Sequence, residues 1–327
     1  MFRSRLASLN ILVAIIGVAL LVFTVQRVGG WPAVVAGIAS VGWWFIVVVI
    51  LGAARMAARG RAWMACIAAI AEPGSRRLTT ADAFGAIIAG DAAGNLTPLG
   101  VFASEPTKIL MTRAKISTVT SIASVTIENA FYSASVAAVL LAGTWLFLQR
   151  ANVPAGLEQI SEVILIVIAV AGVVAFWIAR RQPAILSRLA PLIAKLAGRS
   201  HAPADAVKEI ESHIYGVLRW PLSRILHVVF WEGTFHVLAV AEVWVVLRLL
   251  IPDVTVGEAF LLESAGRFVT IAFKFVPYRL GIDEMGSGAV AQVLGLGPAN
   301  GVTLALVRRL RIIILNAAGL LVLVRRR

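Results

Sequence analysis

Apolar residues along this chain gather into runs long enough to cross a bilayer, with polar residues gathered between them. Runs at 6–25, 33–54, 117–148, 160–179, 220–250 and 299–324 each reach the ~20 residues that roughly 30 Å of hydrocarbon requires. They predict six full helical spans. Two more apolar regions, 78–112 and 259–296, are interrupted by Asn, Pro, Gly and charged residues. Broken helix at membrane depth is tolerated only where protein or water satisfies its polar backbone. Each interrupted region is therefore expected to be a re-entrant hairpin of two half-helices. The opening Met1 to Arg5 followed by 6–25 has the look of a signal peptide. Its apolar part is too long and lacks a small-residue exit, so it reads as an uncleaved first span.

The cations give these elements an orientation. Placing the N-terminus inside puts 21 of the 30 Lys and Arg in inner connections, among them Arg55, Arg59, Arg61, Lys108 and Arg113. The outer connections hold only Arg27, Arg150 and Arg248. This is a positive-inside distribution with both termini cytoplasmic. Region 78–112 has cations on both flanks, so its hairpin opens from the cytoplasm, with a tip near Asn95-Leu-Thr-Pro98. Region 259–296 follows an outer loop with Asp253 and Glu258 and opens from outside. The order span, span, hairpin, span then occurs twice with opposite orientation, over 1–155 and 156–327. The expected fold is an all-α polytopic membrane protein with two inverted-topology halves, about six full spans and two re-entrant helical hairpins. The two tips are expected to meet at a shared, partly hydrated cavity.

Composition agrees with this pattern. The chain is 60% hydrophobic and 14% charged, with mean hydropathy +0.90, whereas soluble domains carry about 25% charged residues. An outer-membrane barrel would show ~10-residue alternating strands instead. The net charge of +13 follows topology, so no nucleic-acid partner is expected. Cys66 is the only cysteine, which rules out an intrachain disulfide. The four histidines form no ligand cluster, and no metal or cofactor is expected. No polar block is long enough for a soluble catalytic domain, and no nucleophile stands out, so a transporter rather than an enzyme is expected. Residues 185–196 alternate apolar and cationic positions at helical spacing. They suggest a helix lying on anionic inner-leaflet lipid.

Charges at membrane depth are costly and usually face a cavity or a partner. Pro98 and Glu105 are separated by seven residues, as are Pro277 and Glu284, and each pair sits at a hairpin. Glu128 lies near mid-depth of its span, as do Arg308 and Arg309 of the last span, which suggests a Glu128–Arg308 or Glu128–Arg309 pair. Glu232 and His236 stand four apart on one helix face and could relay protons.

The motifs Asn95-x-x-Pro98 leading to Glu105, Pro277-x-x-x-Gly281-x-x-Glu284 and Leu306-Val-Arg-Arg-Leu-Arg311 resemble those of the lysylphosphatidylglycerol synthetase transmembrane, or flippase-like domain, family. The Val307 to Arg311 run is similar to its hopanoid-cluster-associated subgroup. The resemblance implies a bacterial inner-membrane protein that moves a lipid headgroup between leaflets, or a subunit that assists lipid-biosynthesis enzymes. It implies Asn95, Pro98, Glu105, Pro277, Gly281, Glu284, Arg308 and Arg309 as motif positions. Ser104 stands where the family usually has Gly before the first Glu, and Tyr278-Arg279 stands where it usually has Gly-Gly. Arg279 thus adds a cation at the second tip, and Lys108 joins the first. The expected substrate is a membrane lipid with a phosphate-containing headgroup, anionic or zwitterionic. A proton-coupled small-solute transporter is the alternative.

Overall fold

The computed structural model describes residues 16–71, 78–97, 100–149, 155–196, 204–273 and 279–325. Among these the regular structure is helical. Helix α1 covers Ile16–Arg27. It is followed by α2 (Gly30–Val41), a single 3₁₀ turn at Gly42–Trp44, and α3 (Phe45–Ile70). Helices α4 (Thr80–Leu96) and α5 (Val101–Thr112) fill the first interrupted region, and α6 (Thr118–Leu148) and α7 (Ala155–Arg181) come next. The connecting helices are α8 (Ile185–Leu196) and α9 (Ala204–Gly216). Then come α10 (Leu222–Leu250), α11 (Val256–Ala272) and α12 (Ile282–Val293) in the second interrupted region, and α13 (Pro298–Arg325).

Among the described residues, four stretches are long and apolar enough to cross a membrane: 30–70, 118–148, 161–181 and 222–250. Helix α13 has the length but carries Arg308, Arg309 and Arg311 in its middle. The main departure from the sequence expectation is α3. It runs 16 residues past the expected span end at 54. Arg55, Arg59 and Arg61 are therefore helical rather than part of an inner loop. Arg55 is buried, and its charge and that of Arg59 are met by carboxylates on neighbouring helices, which is why the helix need not end there.

The interrupted regions both fold as paired helices. Gly94 lies against Gly100, and Gly90 lies against Ser104 and Lys108, so α4 and α5 run antiparallel at close range. An added Cβ at Gly100 would come within 2.4 Å of the Gly94 carbonyl oxygen, so glycine is required for this approach. The two regions also begin alike. Thr79 donates its backbone N–H to Asp82 at 2.9 Å and accepts the Asp82 N–H at 3.2 Å. Thr255 donates to Glu258 at 2.8 Å and accepts back at 3.2 Å. Each is a reciprocal capping box that fixes where its helix starts. Pro98 and Pro277 lie outside the described residues.

The helices interlock across the chain. α3 packs along α10, α4 packs against α13, and α11 packs against α6. α3 also touches α4, and α10 touches α11. α1 meets the second interrupted region at its tip, where Gly17 faces Leu280 and Gly281 faces Leu20. The largest apolar core gathers Val48 of α3, Val243, Val246 and Leu247 of α10, Leu262 of α11 and Leu304 of α13.

Candidate functional site

Charged side chains collect where α3, α10, α11, α12 and α13 converge. Glu242 on α10 is fully buried, and one of its oxygens accepts from Arg55 Nη1 at 2.9 Å and Arg311 Nη1 at 2.7 Å. Its other oxygen lies 3.2 Å from Arg308 Nε. Arg308 also reaches Glu263 on α11 at 2.8 Å, and Glu263 accepts from Arg267 Nε at 2.8 Å. Two buried carboxylates thus sit among four guanidiniums. The guanidiniums outnumber the two carboxylates they surround, which leaves positive charge in excess. The Arg55 and Arg267 guanidiniums lie 4.8 and 4.9 Å from the Phe235 ring centroid, which holds both by cation–π attraction.

The second tip adds two more arginines. Arg309 donates to Glu284 at 2.6 Å and to the Arg279 carbonyl at 3.3 Å. Arg279 donates to Asp283 at 3.0 Å. Arg279 has φ 47°, a left-handed conformation uncommon for a residue with a side chain. Gly281 follows with φ 78° and donates its N–H to Glu284 at 2.8 Å, so Glu284 caps α12.

Between these groups lies a cavity of 160 Å³ lined by six arginines, Arg55, Arg267, Arg279, Arg308, Arg309 and Arg311. Only Glu263 and Asp283 contribute acidic groups to the lining. The Nε atoms of Arg55 and Arg311 are buried donors with no acceptor. Arg267 Nη2, Glu242 Oε1 and Glu263 Oε2 are likewise buried without a hydrogen-bond partner, so donors and acceptors both have unused capacity in this cluster. The guanidinium fork matches phosphate and carboxylate geometry, and six such groups line this cavity.

Of the residues singled out by sequence, Arg279, Gly281, Glu284, Arg308 and Arg309 come together here. Asn95, Glu105 and Lys108 of the first region do not line this cavity. Glu105 pairs with Lys108 at 3.1 Å. Asn95 donates to Asn316 of α13 at 3.2 Å, in a cleft of 40 Å³ that meets the cavity at Arg311 and Ile312. Glu128 does not pair with Arg308 or Arg309. It accepts from Arg59 at 2.7 and 3.4 Å, because α3 continues far enough to bring Arg59 alongside α6. Glu232 and His236 make no hydrogen bond to each other. His236 shares a hydrogen bond of 3.0 Å with Ser135, and neither Glu232 oxygen has a partner.

Sequence reasoning missed Arg55, Arg59, Glu242, Arg267, Arg311 and Tyr132 as site residues. The Tyr132 ring carries Arg59 at 4.3 Å, and its hydroxyl accepts from Arg267 at 3.2 Å. It thereby ties the Arg59–Glu128 pair to the cavity wall. A lone acid inside the apolar run Ala239–Val246 was the available signal for Glu242.

No curated protein and no solved structure matches the chain. The family model described as the lysylphosphatidylglycerol synthase TM region matches residues 9–319. That span includes both interrupted regions and every arginine of the cavity, and the chain belongs to this family of lipid-related membrane proteins.

Proposed function

We propose that this protein moves a phosphate-bearing lipid headgroup between membrane leaflets, with the arginine-lined cavity as the headgroup site. The observation that carries the reading is the six-arginine lining, whose charge the four neighbouring acids, Glu242, Glu263, Asp283 and Glu284, offset only in part. Such an excess is expensive inside a membrane protein unless an anion shares the site. Charge-assisted, bidentate contacts from Arg308, Arg309 and Arg311 would hold phosphate. The family describes a transmembrane region rather than a catalytic domain, which supports transport over chemistry.

Inverted halves suit this role. The twin capping boxes and the crossed packing of α4 on α13 and α11 on α6 support two related units rocking about a shared site. The cation distribution supports an inner-membrane location with cytoplasmic termini. Glu232 and His236 share no hydrogen bond, so the proton relay of a small-solute carrier gains no support from a direct link between them.

The test is a leaflet-exchange assay on purified protein in vesicles holding a fluorescent anionic phospholipid. Wild type should exchange it faster than empty vesicles. Arg308→Gln removes a charged contact that stabilises by about 1.5–3 kcal/mol, so exchange should slow by roughly tenfold to a hundredfold. Exchange no faster than in empty vesicles would overturn the reading.

A further inference from the structure

The headgroup cavity shares two wall residues, Arg267 and Thr270, with an apolar space that the charged site does not use. A groove of 590 Å³ runs between α6, α7 and α11, walled by Val136, Leu140, Ile164, Val167, Phe268 and Ile271. Its polar residues include Tyr132, Arg267 and Thr270, and the last two also line the arginine cavity. Beyond Leu140, Ile164 and Phe268 the groove continues into a second apolar cleft of 230 Å³ that reaches Phe147. Along α6 the apolar run therefore extends from Tyr132 to Phe147, about 22 Å at 1.5 Å per residue. One leaflet's share of the hydrocarbon is roughly 15 Å.

We infer that this groove holds an acyl chain of the same lipid whose phosphate the arginine cavity takes, with Arg267 and Tyr132 at the threshold between them. The inference rests on the headgroup reading and names its substrate as an amphiphile. A soluble anion requires the charged cavity alone. A phospholipid requires a charged cavity beside an apolar slot, and the shared lining of Arg267 and Thr270 puts the two side by side. Helix α7 forms the outer wall of the slot. Its residues Val173 and Phe176 are 68% and 65% exposed, as suits a helix standing in lipid. A chain could pass sideways from bilayer to groove without its head leaving the cavity.

Photocrosslinking tests this on the full chain in vesicles of phosphatidylcholine with a minority of phosphatidylglycerol. Benzoylphenylalanine is placed at Val163 or Ile271, both exposed groove positions, and at Ile46 of α3 as a distant, exposed control. Mass spectrometry of the adducts gives the ratio of captured lipids. At Val163 and Ile271, phosphatidylglycerol should be enriched about fivefold over the vesicle ratio, a preference of ~1 kcal/mol. Arg308→Gln, and separately Arg279→Gln, should return it to the vesicle ratio, and Ile46 should show no enrichment. Adducts at the vesicle ratio in the wild type, equal enrichment at Ile46, or enrichment that survives both arginine changes would each overturn the groove. Phosphatidylglycerol retained in an Arg308-dependent way, with unenriched adducts, would leave the headgroup site standing and remove the groove. Arg308-dependent binding of inorganic phosphate with unenriched adducts would assign the cavity to a soluble anion. Loss of all Arg308-dependent binding would remove the headgroup reading itself.

Discussion

Glu284 accepts a hydrogen bond from Arg309 at 2.6 Å, joining the first turn of α12 to the middle of α13. The same carboxylate caps α12 through Gly281 N–H at 2.8 Å, and it is fully buried. Both oxygens are therefore occupied within the protein. Glu284 shapes the cavity by holding Arg309 in place, rather than offering a free carboxylate to a headgroup cation. Glu284→Gln keeps the shape but removes the charge opposite a buried arginine, which typically costs about 3–5 kcal/mol. Thermal unfolding in detergent should show a large loss for Glu284→Gln. The double change Glu284→Gln/Arg309→Gln should lose less than the sum of the two single changes, since they share one interaction. Additive losses would show that the pair is not coupled.

Glu242 and Glu232 lie on the same helix and make opposite expectations. Glu242 meets Arg55, Arg308 and Arg311, so Glu242→Gln leaves three guanidiniums crowded without their central anion. A stability loss of about 3–5 kcal/mol is expected. Neither Glu232 oxygen has a hydrogen-bond partner, so Glu232→Gln breaks no hydrogen bond and removes a buried unpaired acid, and stability should hold or rise. Unfolding midpoints of the two variants, measured side by side, check the contrast. Equal losses would show that Glu232 has a structural partner.

The interrupted regions were readable in the sequence because their breakers and flanking cations are local signals. The ends of α6, α10 and α13 were readable for the same reason, within a few residues of the apolar runs. The pairings were not, because they depend on long-range packing. Arg55 and Glu242 are 187 residues apart and Arg59 and Glu128 are 69 apart, and no spacing rule reaches that far. Arg55 and Arg59 also follow an apolar run, where a cation ordinarily marks a loop. The unseen continuation of α3 then gave Glu128 the wrong partner. One signal was present and unused. Thr79-x-x-Asp82 and Thr255-x-x-Glu258 are the same capping motif at the start of each interrupted region.

Gly281 makes a conformational prediction. Its φ is 78°, and an added Cβ would come within 2.5 Å of Leu20 Cβ and 2.7 Å of the Gly17 carbonyl oxygen. Gly281→Ala combines a left-handed backbone penalty of about 1–2 kcal/mol with an overpacking cost of about 1–3 kcal/mol. The variant should unfold at lower temperature. Because α1 must move to make room, protease access to the turn between α1 and α2 should rise as well. Gly156→Ala, at an open position with no atom within 4 Å of the added carbon, should change neither measurement.

The Arg59–Glu128 pair allows a test by exchange. Arg59 donates to both Glu128 oxygens and to Asn129 at 3.0 Å, and its guanidinium lies over Tyr132. Glu128 is almost completely buried, so losing its counter-charge should cost about 3–5 kcal/mol. Glu128→Arg alone places two cations in one site and should reduce the amount of folded protein in the membrane. Adding Arg59→Glu restores opposite charges across the same gap between α3 and α6. It should recover much of that loss, though not all, since the cation over the Tyr132 ring is moved. Adding Arg308→Glu instead should recover nothing and lose more, because Arg308 bridges Glu242 and Glu263 and a third acid there is repelled. Size-exclusion profiles of the three variants from membranes would decide the matter. Recovery with Arg308→Glu in place of Arg59→Glu would mean that Glu128 faces α13, and that α3 ends where its first arginine suggested.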